Sequence, residues 1–178
     1  MKMPTLTRLG LMAALLVALA GCTAAISKPL RDQADETIGV RAVRENPPPY
    51  VGDTLIWGGD IIEITPFAGG TRVKVLQKPL DYRLEPRSVD VSEGRFLSVY
   101  EGFLDPEIFS PGRRVTVAGE LTGIESLPLG ETQYAYPVLK VREIHLWPPR
   151  PDPAVDDYYR WYPYHYPFRP WGYHPYWW

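Results

Sequence analysis

An all-β domain, closed as a small five-stranded Greek-key barrel, is the fold this sequence predicts. Three observations carry it. Between residues 50 and 148, several runs alternate apolar and polar residues with the period of half-buried strands. The first of these runs is the longest and is interrupted by Gly58-Gly59. One helical-turn signal falls between the third and fourth runs.

The first strand spans about Thr54 to Ile64, with Trp57, Ile61, Ile62 and Ile64 as its apolar residues. Because the pattern resumes directly after Gly58-Gly59, the pair reads as a bulge or sharp bend rather than a turn. Phe67-Ala68-Gly69-Gly70 makes a hairpin loop, and strand two follows from Thr71 to Gln77, with Val73 and Val75 alternating against Arg72 and Lys74. A polar stretch from Asp81 to Glu93 precedes strand three, about Arg95 to Glu101. Asp105-Pro106-Glu107-Ile108-Phe109 has an N-cap Asp, a first-position Pro and a first-turn Glu, which is one turn of helix. Strand four runs from Arg113 to Thr122, Pro128 and Gly130 mark a loop, and strand five runs from Tyr134 to Trp147. Five strands, a bent first strand and a helical turn after the third match the Greek-key barrel called the OB-fold. A small sandwich is the alternative.

Ahead of this domain stands the only cysteine. An apolar run from Leu9 to Ala20 follows Lys2 and Arg8, and Leu19-Ala20-Gly21 leads directly into Cys22. A basic start, a short apolar stretch and small residues at the cut make a secretory signal peptide. The stretch is well short of the ~20 residues of a spanning helix. The four residues ending at Cys22 resemble the bacterial lipobox, which implies cleavage before Cys22, diacylglycerol on its sulfur and an acyl chain on the new amino terminus. Multiple chains give stable anchoring at about 0.8 kcal/mol per buried methylene. Acylation would leave no thiol for a disulfide, a nucleophile or a metal. Thr23, where an Asp would favour inner-membrane retention, points to the outer membrane.

Removing residues 1–21 leaves 157, about one domain with extensions. They carry 17 Lys+Arg against 21 Asp+Glu, near −4, with no basic block. Nucleic-acid binding draws mostly on phosphate neutralisation, so no nucleic-acid partner is expected. The expected divisions are a signal peptide at 1–21, the acylated Cys22 with a tether at 22–49, the barrel at 50–149 and a tail at 150–178. The tether reads as flexible, since no apolar periodicity holds it, although Thr37 to Val43 has the makings of a short edge strand. Pro47-Pro48-Pro49 predicts an extended polyproline lead into the barrel.

The tail is the second unusual feature. From Pro151 to Trp178 it holds twelve aromatic residues, Trp161, Trp171 and Trp177 among them, with six prolines. Its prolines forbid a regular helix or a central strand. So aromatic a segment should dock on something: its own barrel, the membrane interface where Tyr and Trp rings gather, or a glycan or peptide.

Chemistry-bearing constellations are few. His145 lies in strand five and reads as solvent-facing, while His165 and His174 lie in the proline-broken tail, which offers zinc no fixed frame. Asp60 and Glu63 fall on opposite faces of a regular strand, which argues against an acid/base pair. Glu85, Asp90 and Glu93 sit in the polar stretch and read as solvated charge. No serine lies in a nucleophile-elbow pattern. No catalytic residue, metal or cofactor is assigned, apart from the covalent lipid on Cys22. The candidate binding residues are Trp57, Arg95, Phe103, Tyr134 and Tyr136 on the barrel, and Trp161, Trp171 and Trp177 in the tail. Core packing is the competing role for Trp57 and Phe103.

Tyr50-Val51-Gly52, Trp57-Gly58-Gly59-Asp60-Ile61-Ile62, Gly94-Arg95-Phe96, Gly102-Phe103-Leu104-Asp105-Pro106, the block from Gly112 to Gly119 and the closing Leu146-Trp147 together resemble the Slp family of outer-membrane lipoproteins. The resemblance implies a lipid-anchored protein of the bacterial outer membrane, associated with starvation or stationary phase, and brings no catalytic residues with it. The expected role is therefore non-catalytic: a structural or stress-response part of the envelope that binds a cell-wall or membrane component. Its partners would be outer-membrane lipid and either peptidoglycan or another envelope protein. A small-ligand carrier using the barrel mouth is the alternative, and an undetected envelope hydrolase a third.

Overall fold

The computed structural model describes residues 24–150. The chain divides into two units, one ending at Pro148 and the other beginning at Pro149. The strands of the first unit are β1 (Thr54–Phe67), β2 (Gly70–Gln77), β3 (Arg95–Tyr100), β4 (Arg114–Leu129) and β5 (Thr132–Leu146). They close into a barrel in the order β1-β2-β3-β5-β4. This is the OB-fold order. Every pairing is antiparallel except β3 with β5, which pair in parallel through Leu97–Val99 and Val138–Lys140.

β1 serves both sides of the closure, pairing with β4 along Thr54–Asp60 and with β2 along Gly59–Phe67. The crossover is crowded. A Cβ on Gly59 would stand 1.9 Å from the Leu76 carbonyl oxygen, so only glycine lets the two backbones approach. The register shift itself lies further on, at Ile62 rather than at Gly58-Gly59. That bulge turns Glu63 outward, onto the same face as Asp60, and returns Ile64 to the core, which corrects the opposite-face expectation.

The interior is filled by Leu55, Val73, Val75, Phe96, Val115, Val117, Leu121 and Leu139, all fully buried. The expected helical turn is a single hydrogen-bonded turn: Ile108 and Phe109 N–H donate to the Asp105 carbonyl, and Glu107 N–H donates to its carboxylate at 2.9 Å. Leu104 beside it is buried in the core. β4 runs on past its expected end at Thr122 to Leu129, while β5 matches its expected span to within two residues, and the two form a long hairpin turning at Gly130 with φ +61°.

The expected tether is a folded part of the domain from residue 26 onward. Two six-residue helices, α1 (Lys28–Gln33) and α2 (Val40–Glu45), replace both the flexible segment and the edge strand. Ile26 and Leu30 bury against Ile56 and Ala118 on the outer side of the barrel. Val40 and Val43 are fully buried in the main core with Leu55 and Trp57. Each such aliphatic burial is worth about 1.5–3 kcal/mol, enough to hold helices too short to stand alone. Pro48–Tyr50 forms a 3-10 turn, not extended polyproline.

Candidate binding surface on the barrel

The outer face of the β1–β2 hairpin carries a hollow of about 360 Å³ lined by Glu63, Thr65, Phe67, Arg72, Lys74 and Leu127. Strand alternation explains it. Val73 and Val75 point inward, so Arg72 and Lys74 project outward beside the bulge-turned Glu63. The long β4–β5 hairpin supplies the far wall through Leu127, tied across by an Arg72–Glu125 ion pair at 3.1 Å. Lys74 Nζ lies 2.7 Å from the Glu63 carboxylate, and this bond holds Glu63 below the ordinary glutamate range. The floor therefore presents charge in pairs, while Phe67 and Leu127 give it an apolar rim.

Phe67 leads on to a second hollow of about 520 Å³, over the hairpin turn Ala68–Gly70 and the Glu101–Phe103 segment. Phe67 and Phe103 are both exposed there, at 48% and 71%. Chemically the surface offers ring faces and paired charges. Among the described residues no cluster of three His, Cys, Asp or Glu could hold a metal ion.

Trp57 is a core residue, 5% exposed, edge-on to Phe96 at 5.4 Å with its indole N–H on the Ile38 carbonyl. Phe103 is the reverse, on the surface rather than in the core. Arg95 and Tyr134 meet through the Arg95 backbone N–H, which donates to the Tyr134 hydroxyl at 3.1 Å. Arg44 of α2 donates to the same hydroxyl. Tyr136 stacks on Tyr134, tilted at 4.7 Å between ring centres, and is fully buried. These aromatics therefore fasten the segment before the barrel to β5. Glu85 and Glu93, read as solvated, have structural partners: Glu85 pairs with Arg114, and Glu93 accepts from Arg41 N–H. His145 is half-buried and edge-on to Trp147 at 4.5 Å. Cys22, Trp161, Trp171 and Trp177 lie outside the described residues.

The groove residues carry no mark in the sequence because they come from three strands and no local motif joins them. Phe67 offers one usable signal: an aromatic at the mouth of a tight hairpin has no core to enter.

Fold and surface together define a class first: an OB-fold domain with a packed interior and aromatic side chains exposed at the barrel surface. Among the described residues no helix is long and apolar enough to cross a membrane. The chain belongs to the outer membrane lipoprotein Slp family, whose model matches residues 19–178. It is thus a lipoprotein of the bacterial outer membrane. It is 32% identical over 140 residues to the lipoprotein YeaY of Escherichia coli K12, covering 72% of this chain and 70% of that one. A Haemophilus influenzae protein is 30% identical over 138 residues, covering 75% and 73%. The outer membrane protein Slp of E. coli K12 is 27% identical over 106 residues, covering 60% and 56%. Among solved structures, the chain is similar to a small single-stranded DNA-binding protein from Streptomyces coelicolor, at 14% identity, 58% and 97% coverage and a TM-score of 0.33.

Proposed function

We propose that this is a non-catalytic binding lipoprotein, held by acyl chains on Cys22, that grips a cell-wall component on the outer face of β1 and β2. The groove supports this reading. It pairs an apolar rim, Phe67 and Leu127, with the charges of Arg72, Lys74 and Glu63. In OB-folds extended ligands usually sit on the face of strands two and three between the β1–β2 and β4–β5 loops. The groove adjoins that face through Arg72 and Lys74 of β2 and Leu127 of the β4–β5 hairpin. Flat aromatic faces with nearby hydrogen-bonding groups suit a glycan strand or its peptide stem. Paired charge suits a polymer whose peptide stems carry both carboxylates and amines better than a uniform polyanion. Burial of Val40 and Val43 in the core favours surface binding over a carrier with a pocket inside the barrel. No cofactor beyond the covalent lipid enters this reading.

The test is co-sedimentation of the full mature lipoprotein with purified cell-wall sacculi. A double variant, Phe67→Ala with Leu127→Ala, should cut pelleting about tenfold, the loss of roughly 1.4 kcal/mol. A chain ending at Pro149 measures the tail separately. Full pelleting by the double variant would remove the groove from the proposal.

A further inference from the structure

Very little chain separates Cys22 from the fold. Ile26 is fully buried, only four residues on. At about 3.5 Å per residue, the anchor lies within ~14 Å of Ile26. An acylated Cys22 therefore brings the surface around Ile26 against the bilayer.

That surface has a built projection. Leu80 and Leu84 pack on the Ile26, Leu30, Ile56 and Ala118 cluster and bracket a tight turn between them. At its tip Tyr82 is 92% exposed, with the exposed Arg83 beside it. The turn is fixed by its own bonds: Leu84 N–H to the Asp81 carbonyl at 2.9 Å, and Asp81 N–H to the Glu85 carbonyl at 3.0 Å. Leu84 has a φ of +67°, and its carbonyl accepts from the buried Thr116 hydroxyl at 2.6 Å. The acidic groups are engaged within the turn and its base. The Asp81 carboxylate accepts from Arg83 and Glu85 N–H at 2.8 and 2.9 Å, and Glu85 pairs with Arg114. What remains for the outside is a phenol ring and a guanidinium, the pair that suits the headgroup layer: aromatic ring at the interface, cation at phosphate.

We infer that the Asp81–Glu85 turn is a membrane-docking tip, seating Tyr82 and Arg83 in the headgroups of the bilayer that holds the lipid anchor. The inference rests on acylation of Cys22. A second contact beside the anchor fixes the tilt of the barrel, so the β1–β2 groove points one way instead of swivelling.

Acylation of Cys22 consumes the only thiol, so Tyr82→Cys creates a unique labelling site in the lipidated protein. A polarity-sensitive dye is placed there, and in a second variant at Ile108→Cys, which is 53% exposed on another loop. Both proteins are reconstituted into phosphatidylethanolamine/phosphatidylglycerol vesicles, floated on a gradient and exposed to aqueous iodide. Docking predicts that reconstitution protects position 82 about fivefold more than position 108, with a blue shift at 82 alone. Equal quenching at both positions in floating vesicles overturns the docking tip while leaving the anchor intact. Failure to float overturns the anchor, and the inference with it.

Discussion

The indole N–H of Trp57, near the start of β1, donates to the carbonyl of Ile38 at 2.8 Å. This bond joins the barrel to the segment before it, and Val40 and Val43 follow immediately into the core. The amino-terminal segment is therefore part of the folded domain.

Trp57→Phe should keep most of the ring packing on Phe96 but lose this bond and leave a small void. The expected cost is about 2–4 kcal/mol, read as a lower denaturant midpoint. Amide exchange in α2 should rise more than in β4, since the lost partner is on the α2 side.

Two glycines separate crowding from backbone strain. Gly59→Ala places a Cβ against the Leu76 backbone and should cost about 3 kcal/mol or more, or prevent folding. Gly112→Ala meets nothing within 4 Å but sits at φ +83°, so it should cost only about 1–2 kcal/mol. Chemical denaturation of both variants checks the order, and equal costs would refute the crowded crossover.

The fully buried Tyr136 hydroxyl has no hydrogen-bond partner among the described residues. An unpaired buried hydroxyl carries a desolvation penalty that Phe does not. Tyr136→Phe should therefore raise stability by about 1 kcal/mol, visible as a higher melting temperature. A fall would mean the hydroxyl has a partner that matters.

Glu63 titrates below the ordinary glutamate value of 4.5 because Lys74 stabilises its charged form. A lowered folded value means stabilisation that is complete above the unfolded value and lost as pH falls through the folded one. The pair is half-exposed, so its worth is about 0.2–1 kcal/mol. Thermal unfolding of the wild type and Glu63→Gln should differ near neutral pH and converge once acid has protonated Glu63 in the folded state. A gap that persists in acid would show that Gln at this position disturbs more than a charge.

The strands could be read in the sequence because Val73 and Val75, or Val115 and Val117, repeat at period two. The bulge could not: Ile61-Ile62 is apolar on both sides of the shift, so no break in pattern marks it. The far half of β4 escapes the pattern because Glu125 and Ser126 lie where the hairpin leaves the barrel and no buried face enforces alternation. The two helices hide among charges: α1 has Leu30 as its one buried residue, with Ile26 ahead of its cap, and only Val40 and Val43 of α2 stand at helical spacing. One or two buried apolar residues per helix make no periodic pattern, and only the barrel behind them gives these positions meaning. The groove joins Glu63, Arg72 and Leu127, which chain folding alone brings together.

The parallel seam between β3 and β5 also sets an order of assembly. A chain exported amino-terminus first delivers Ile26, Val40 and Val43 to the envelope long before Val138–Lys140, the residues that complete the ring. Until that last strand arrives, the sheet has two open edges and α2 has no β5 to rest on. Val40 and Val43 meet Leu55 and Trp57 early, but they wait through roughly 95 further residues of translocation for the strand that closes the core over them, an interval of exposed apolar surface.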